Sequence, residues 1–258
     1  MSVNPAPELT LTVDIAAQPG TVFQFLTETE SFRQWLGPES ITGAWTGADL
    51  IVRYPDGHVA RGKLTLVEPA KRLEFTWGYE DADSGLPVGA TTVRLALEPL
   101  ATGTRLQLTH AGLPTEEQRA AHALGWNYYL GCLAAVAAEA QHGPGLARLV
   151  ANYIEAWNET DEAQRAAILA QCWAENGRYL DKLAAVPGRE ALLAHIGNAQ
   201  QFSPGAMLEL VGRPSHCHGA AQWDWRMTAV DAELGAGRCY GRLNADGRLT
   251  EVVSFWSA

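Results

Sequence analysis

Apolar and polar residues alternate along most of the first half of the chain, and this period of two predicts strands with one buried face. The first such segment, LTLTVDI, spans residues 9–15. Five later segments share the period: DLIVRY, VARGKLTLVEP, RLEFTW, TTVRLALEP and TRLQLTH. Turn residues such as Pro55-Asp56-Gly57 separate them. The pattern therefore predicts a series of antiparallel hairpins.

Two segments of this half have apolar residues at helical spacing instead. Pro19 opens a short, broken helix that Gly37-Pro38 ends. Thr115 is the predicted N-cap of a long helix that runs to about Ala140. A curved sheet packed around this helix would leave a cavity between them.

Beyond QHGPG at 141–145 the order of elements is reversed, with helices first and strands after them. Three helices are predicted, and the second of them runs to Gly177. Four strand-like segments follow: MLELVGR, one long run from His216 to Ala229, GRCYGRL and RLTEVVSFW. Because no sheet needs to cross QHGPG, we predict an α+β chain of two domains, 1–142 and 146–258.

The long run from His216 to Ala229 carries the second half's most apolar strand face. In one continuous strand, alternate residues share a face. The face predicted to line the interior carries Cys217, Trp223, Trp225 and Met227.

Composition limits the partners. The chain has 258 residues, 47% of them apolar, and a formal net charge of -10. Both halves carry an excess of acidic residues, which argues against a nucleic-acid backbone or an anionic membrane surface as partner. Four cysteines without a CxxC pair, and a start without the features of a signal peptide, predict a soluble cytoplasmic protein with reduced thiols.

Three segments of the first half, QWLGP at 34–38, RLEFTW at 72–77 and the stretch from TRLQLTHAGLP to HALGWNYYLGCL at 104–133, carry a family resemblance. They resemble the START-like (SRPBCC) helix-grip fold, in the branch related to the C-terminal domain of the Hsp90 ATPase activator. The resemblance implies an antiparallel sheet around a long C-terminal helix and an internal cavity for a lipid-like or aromatic molecule, without a shared catalytic set. The candidate ligand-binding residues, for which plain core packing is the alternative, are Trp35, Phe75, Trp77, His110, Trp126 and Tyr129.

Four segments of the second half resemble the NTF2-like cone, close to its SnoaL-like branch of polyketide cyclases and more distantly the ketosteroid isomerases: NYIEAWNETD at 152–161, RYLD at 178–181, PGREALLAHI at 187–196 and ADGRLTEVVSFW at 245–256. The resemblance implies three helices on a curved antiparallel sheet and a homodimer through this half. Against the isomerase pattern, Tyr153 falls where the family keeps an oxyanion-donating tyrosine, and Asp181 where it keeps the carboxylate that moves the proton. Cys239 stands where the family keeps an acid, and losing one such donor costs on the order of 100- to 1000-fold in rate.

Three functional classes follow. The leading hypothesis is binding of small apolar or aromatic molecules in two pockets. The alternative is an isomerase, cyclase or dehydratase with Asp181 as base and Tyr153 as donor. A third is regulation of Hsp90, which only the family name suggests.

Other chemistry has weaker support. Cys239 is either a nucleophile or a buried apolar thiol. His216 and His218 could face one way on a strand, but no third metal ligand is identifiable, and nucleotide-binding motifs are absent from the sequence. We therefore predict neither a metal nor a cofactor.

Overall fold

The computed structural model describes residues 8–230 and 232–257. The chain divides into two compact units, Met1–Ala137 and Ala138–Ala258. Each unit contains one six-stranded sheet. The predicted mixed α+β class is confirmed.

The first unit follows the predicted order of elements. They are β1 (Leu9–Ile15), α1 (Pro19–Thr27), α2 (Thr29–Leu36), β2 (Asp49–Arg53), β3 (Val59–Glu68), β4 (Arg72–Trp77), a 3-10 turn (Ala82–Ser84), β5 (Thr91–Leu100), β6 (Gly103–Ala111) and the start of α3 (Glu116–Asn158). The strand order is β1-β6-β5-β4-β3-β2, and every pairing is antiparallel.

The core of this unit explains the alternation in the sequence. Leu73 pairs with Leu95 and Phe75 with Val93 across β4 and β5, and all four side chains are buried. Successive turns of α3 pack into the same core, for example through Trp126. Burial of this continuous apolar face drives the sheet to close on the helix.

Helix α3 corrects the sequence-based expectation at QHGPG. The predicted interruption is wrong: one helix of 43 residues runs through it, with Pro144 inside. Proline cannot donate a hydrogen bond to the carbonyl four residues earlier and costs about 3 kcal/mol inside a helix. Buried residues on both sides, including Ala138 and Val150, fix the flanking turns by packing and offset that cost.

The second unit contains the rest of α3 and eight further elements. They are α4 (Glu162–Cys172), β7 (Trp173–Leu180), β8 (Ala185–Pro187), α5 (Arg189–Phe202), β9 (Met207–Cys217), β10 (Ala220–Ala229), β11 (Ala232–Leu243) and β12 (Leu249–Trp256). The strand order is β8-β7-β12-β11-β10-β9. The expected purely antiparallel sheet is wrong, because β12 and β7 are parallel. The long chain segment between these two strands makes a parallel pair feasible.

Two boundaries of this unit also differ from the prediction. The second helix ends at Cys172 rather than Gly177, because Trp173 already begins β7. The predicted long strand from His216 is a hairpin, since His218 and Gly219 have φ values of 47° and 75°. Positive φ at both central residues is the geometry that two-residue hairpin turns prefer.

The hairpin changes the predicted faces. Cys217 is on β9 and does not share the β10 face with Trp223. His216 is on β9 while His218 is in the turn, so the two imidazoles are not alternate residues of one strand.

Candidate functional site

The second unit contains a cavity of about 530 Å³ whose walls are mainly apolar and rich in aromatic rings. Residues from α3, α5 and five strands of the sheet line it. The Tyr and Trp side chains in the wall are Tyr153, Trp157, Tyr179, Trp223, Trp225 and Trp256. This volume is within the range of ordinary small-molecule sites, roughly 300–1,000 Å³.

Glycines on β11 make room for the tryptophans of the neighbouring strands. Gly237 is paired with Trp225 of β10 on one side and with Trp256 of β12 on the other. A Cβ at Gly237 would lie 2.8 Å from Cζ2 of Trp225. With no side chain between them, the two indoles meet edge to face at 5.0 Å between ring centroids.

Asp181 is the carboxylate of this cavity. It follows the last residue of β7, and its Oδ1 accepts hydrogen bonds of 2.7 Å from the backbone N–H groups of Leu183 and Ala184. Its Oδ2 accepts a bond of 3.0 Å from the Tyr179 hydroxyl. Donors on both oxygens hold the carboxylate in one orientation at the cavity wall.

Tyr153 reaches the cavity from α3. Only 1% of the residue is exposed, and its ring stacks on Trp173 at 5.9 Å and meets Trp223 edge to face at 5.5 Å. Burial raises the pKa of the phenol well above its usual value. Tyr153 therefore stays protonated at neutral pH and can act as a hydrogen-bond donor.

Cys239 is buried in the same wall, opposite Ser254 in the strand register. Burial raises the pKa of its thiol to about 12, although a hydrogen bond with Ser254 opposes the shift. The thiolate needed for nucleophilic attack is thus disfavoured at neutral pH. Cys239 contributes a small, soft, neutral group.

Three tryptophans of the wall have indole nitrogens that are buried without a hydrogen-bond partner in the described part of the chain: Trp223, Trp225 and Trp256. A buried donor left without a partner costs about 1–3 kcal/mol. These nitrogens lie behind the surface that the cavity presents to a ligand, so the tryptophans contribute apolar ring surface to the site.

The structure brings together all the residues that the sequence assigned to this half's site. Tyr153, Asp181, Cys239, Trp223, Trp225 and Met227 all line the cavity.

The sequence reasoning missed other lining residues, among them Tyr179, His195 and Trp256. Strand alternation could have found Tyr179, which precedes Asp181 by two positions. His195 depends on how α5 packs against the sheet, where its ring lies 5.6 Å from that of Tyr179.

In the first unit, the predicted residues other than His110 line two spaces, and Trp77 and Trp126 line both. The space between sheet and helix that Trp35 and Phe75 line is about 10 Å³, so this interior is filled by side chains. A larger cavity of about 470 Å³ is lined by Trp77, Trp126 and Tyr129.

His110 lines neither of these spaces. It is completely buried, and its Nδ1 accepts a hydrogen bond of 3.1 Å from the indole N–H of Trp126. Its Nε2 must then carry the proton and donates to Thr91 Oγ1 at 2.8 Å, and that hydroxyl donates to the Trp77 carbonyl. Burial, and secondarily the neighbouring His122, lower the pKa of His110 to about 3. His110 is therefore a neutral link between β5, β6 and α3.

Within residues 8–230 and 232–257, no three His, Cys, Asp or Glu side chains are grouped as metal ligands would be. His216 has other partners: its Nδ1 lies 3.0 Å from Glu139 Oε2, and its Nε2 accepts from the N–H of Gly219.

Among the residues that the structure describes, every helix is too short or too polar to cross a membrane.

The comparison with family models covers the first unit alone. Residues 16–138, just under half of the chain, match the family model described as Activator of Hsp90 ATPase homolog 1-like protein. This match supports the resemblance inferred for the first half. No curated protein matches the chain.

Several solved structures each cover about half of this chain. A SnoaL-like family protein from Agrobacterium tumefaciens is 33% identical over 43% of this chain and 96% of its own, with a TM-score of 0.42. The AHSA1 protein from Silicibacter pomeroyi is 27% identical over 50% of this chain and 95% of its own, with a TM-score of 0.43. The Aha1 dimer from Colwellia psychrerythraea is 21% identical over 50% of this chain and 93% of its own, with a TM-score of 0.44. The cone-like arrangement of the second half stays a prediction.

Proposed function

We propose that the second unit binds a small, flat, largely apolar molecule that carries oxygen acceptors. The observation that carries this proposal is the 530 Å³ cavity walled by aromatic rings, with the protonated Tyr153 phenol among them. Aromatic faces favour a planar ligand, and a phenol O–H favours a carbonyl, ether or phenolic oxygen on it. Apolar burial supplies affinity and the few polar groups supply orientation.

The test uses two substitutions on the same helix. Ala199 lines the cavity, whereas Ala194, also on α5, is exposed and lies outside it. Ala199→Trp should fill the cavity and weaken binding of hydroxynaphthoquinone and anthraquinone probes at least ten-fold, measured by calorimetry. Ala194→Trp should leave the affinity within about two-fold. If none of the probes binds, or if both variants bind as the parent does, the proposal fails.

A second candidate function, proton transfer within the bound ligand, is favoured by the placement of Asp181. The ordered carboxylate and the neutral Tyr153 phenol line the same cavity. In such a reaction the carboxylate removes a proton from the carbon beside a ligand carbonyl, while a phenol O–H donates to the oxygen that gains charge. Returning the proton to another carbon completes an isomerisation.

The test follows exchange of the carbon-bound proton of a ketone ligand with solvent deuterium by NMR. Asp181→Asn should slow the exchange at least 100-fold with binding nearly unchanged, whereas Asp224→Asn, at an exposed carboxylate outside the lining, should not slow it. A rate in Asp181→Asn equal to that of the parent would refute catalysis and leave the binding proposal intact. Homodimer formation and a role with Hsp90 stay predictions from the family resemblance.

A further inference from the structure

The cavity of the first unit differs in character from that of the second. Its volume is about 470 Å³, and five aromatic side chains line it: Tyr54, Trp77, Tyr79, Trp126 and Tyr129. The Trp77 ring lies 5.2 Å from that of Trp126 and 6.1 Å from that of Tyr79, and the Tyr54 and Tyr129 rings are 5.9 Å apart. Aromatic rings thus form linked groups around one space rather than a single stack.

The charges at this cavity have one sign. Asp56, Asp81 and Asp83 line it, and no Lys or Arg of the described residues does. The nearby Arg61 is paired with Glu80 and is not part of the lining. The three carboxylates give the cavity a negative electrostatic potential. The faces of the aromatic rings carry partial negative charge and add to it.

The imidazoles beside the cavity do not reverse this potential. His122 Nδ1 donates to the Gln118 carbonyl at 2.8 Å, so its Nε2 accepts from the Tyr79 hydroxyl at 3.3 Å. Burial lowers the pKa of His122, which keeps the ring neutral near pH 7. His58, the other imidazole of the lining, lies between two carboxylates, 3.1 Å from Asp56 and 3.8 Å from Asp81.

Two polar hydrogens of the wall are committed to protein acceptors. The Tyr79 hydroxyl bonds to His122, and the Trp126 indole N–H bonds to His110. What these side chains offer a ligand is therefore ring faces and oxygen lone pairs.

We propose that the first unit binds an organic cation, an amine or quaternary ammonium group on an apolar or aromatic body, in the cavity bounded by Tyr54, Trp77, Tyr79, Trp126 and Tyr129 and rimmed by Asp56, Asp81 and Asp83. Ring faces stabilise the cation by cation–π attraction, most strongly where water is excluded. The carboxylates supply long-range attraction and discriminate against anionic ligands. This site is distinct from the cavity of the second unit and does not depend on the function proposed for it.

The decisive test compares two probes of nearly the same shape on the full chain. Benzyltrimethylammonium carries a permanent charge, whereas neopentylbenzene replaces its nitrogen with carbon. The cation should bind at least ten-fold more tightly, measured by ligand-observed NMR at low salt. Equal affinity of the two probes would overturn the proposal, because it would show an apolar pocket without preference for charge.

Neighbouring residues provide matched controls for the location. Tyr129 lines the cavity, whereas Tyr128, the preceding residue of α3, is 67% exposed and does not. Tyr129→Leu should weaken binding of the cation about five- to thirty-fold, and Tyr128→Leu less than two-fold. Asp56→Asn/Asp83→Asn should reduce the preference for the cation over neopentylbenzene several-fold, while Asp49→Asn, at an exposed residue outside the lining, should not.

The remaining outcomes separate the two sites. Ala199→Trp in the second unit should leave binding of the cation unchanged. If the cation binds but Tyr129→Leu and the aspartate variants do not weaken it, the site lies elsewhere and the proposal is refuted.

Discussion

Buried His110 should make the first unit sensitive to mild acid. The imidazole is neutral in the native state and fully hydrogen-bonded, with one nitrogen accepting from Trp126 and the other donating to Thr91. Protonation would put a second N–H where Trp126 already donates, and would bury a charge. The folded unit therefore resists protonation, whereas the unfolded chain does not.

The magnitude follows from the two pKa values. The native pKa of His110 is lowered to about 3, against 6.5 for an unperturbed histidine. Because the unfolded state binds more protons, stability from this residue is present above pH 6.5 and is lost as the pH falls towards 3. At pH 5 an unfolded histidine is roughly 97% protonated and the native one roughly 1%, which costs about 2 kcal/mol relative to pH 7.5.

The assay is amide hydrogen exchange of the full chain at pH 7.5 and pH 5, converted to free energies of opening for peptides of β5 and β6. The parent should lose about 2 kcal/mol more between the two pH values than His110→Gln does, whatever the absolute stability of that variant. His218→Asn, at an exposed turn residue, should behave as the parent. Equal losses in the parent and His110→Gln would refute the reasoning.

Three substitutions test the backbone arguments, each by urea unfolding combined with local hydrogen exchange. Gly131→Ala places a Cβ on α3 where nothing lies within 4 Å, so it should stabilise the first unit by about 0.5–1 kcal/mol; a loss of stability would contradict this. Gly237→Ala brings a Cβ against the Phe255 carbonyl and the Trp225 ring, so it should destabilise the second unit by about 1–3 kcal/mol; an unchanged midpoint would show that the sheet yields there. Pro144→Ala restores a helical N–H and should slow exchange around residues 140–148, with a gain of up to about 3 kcal/mol; faster exchange would count against the continuous helix.

The sequence was most informative where one period extended over a whole element. Alternation identified the strands of the first unit, and the residues Tyr153 and Asp181 were assigned to one site through the family resemblance before any geometry was known. The strand assignments succeed because burial of one face imposes the period directly.

The remaining features depend on tertiary packing and backbone geometry, which the local sequence pattern does not show. QHGPG has the composition of a linker, yet packing on both sides of Pro144 keeps α3 helical. His218 and Gly219 form a turn inside a run of strand-forming residues. Two consecutive residues with positive φ are enough to reverse the chain. The cavity in the first unit was expected between sheet and helix, but large side chains such as Trp35 fill that interior.

Helix α3 determines how the chain can be divided for experiments. The predicted second domain began at residue 146, but the second unit starts at Ala138, and the helical turns between them carry side chains that the unit uses. Glu139 bonds to His216, and His142 is buried. A fragment that starts at Leu146 would therefore lack both Glu139, the partner of His216, and His142 itself. Limited proteolysis should likewise spare QHGPG, since proteases cut extended backbone and this backbone is helical. A fragment intended to report on the second cavity should therefore begin before Ala138, inside sequence that also belongs to the first unit.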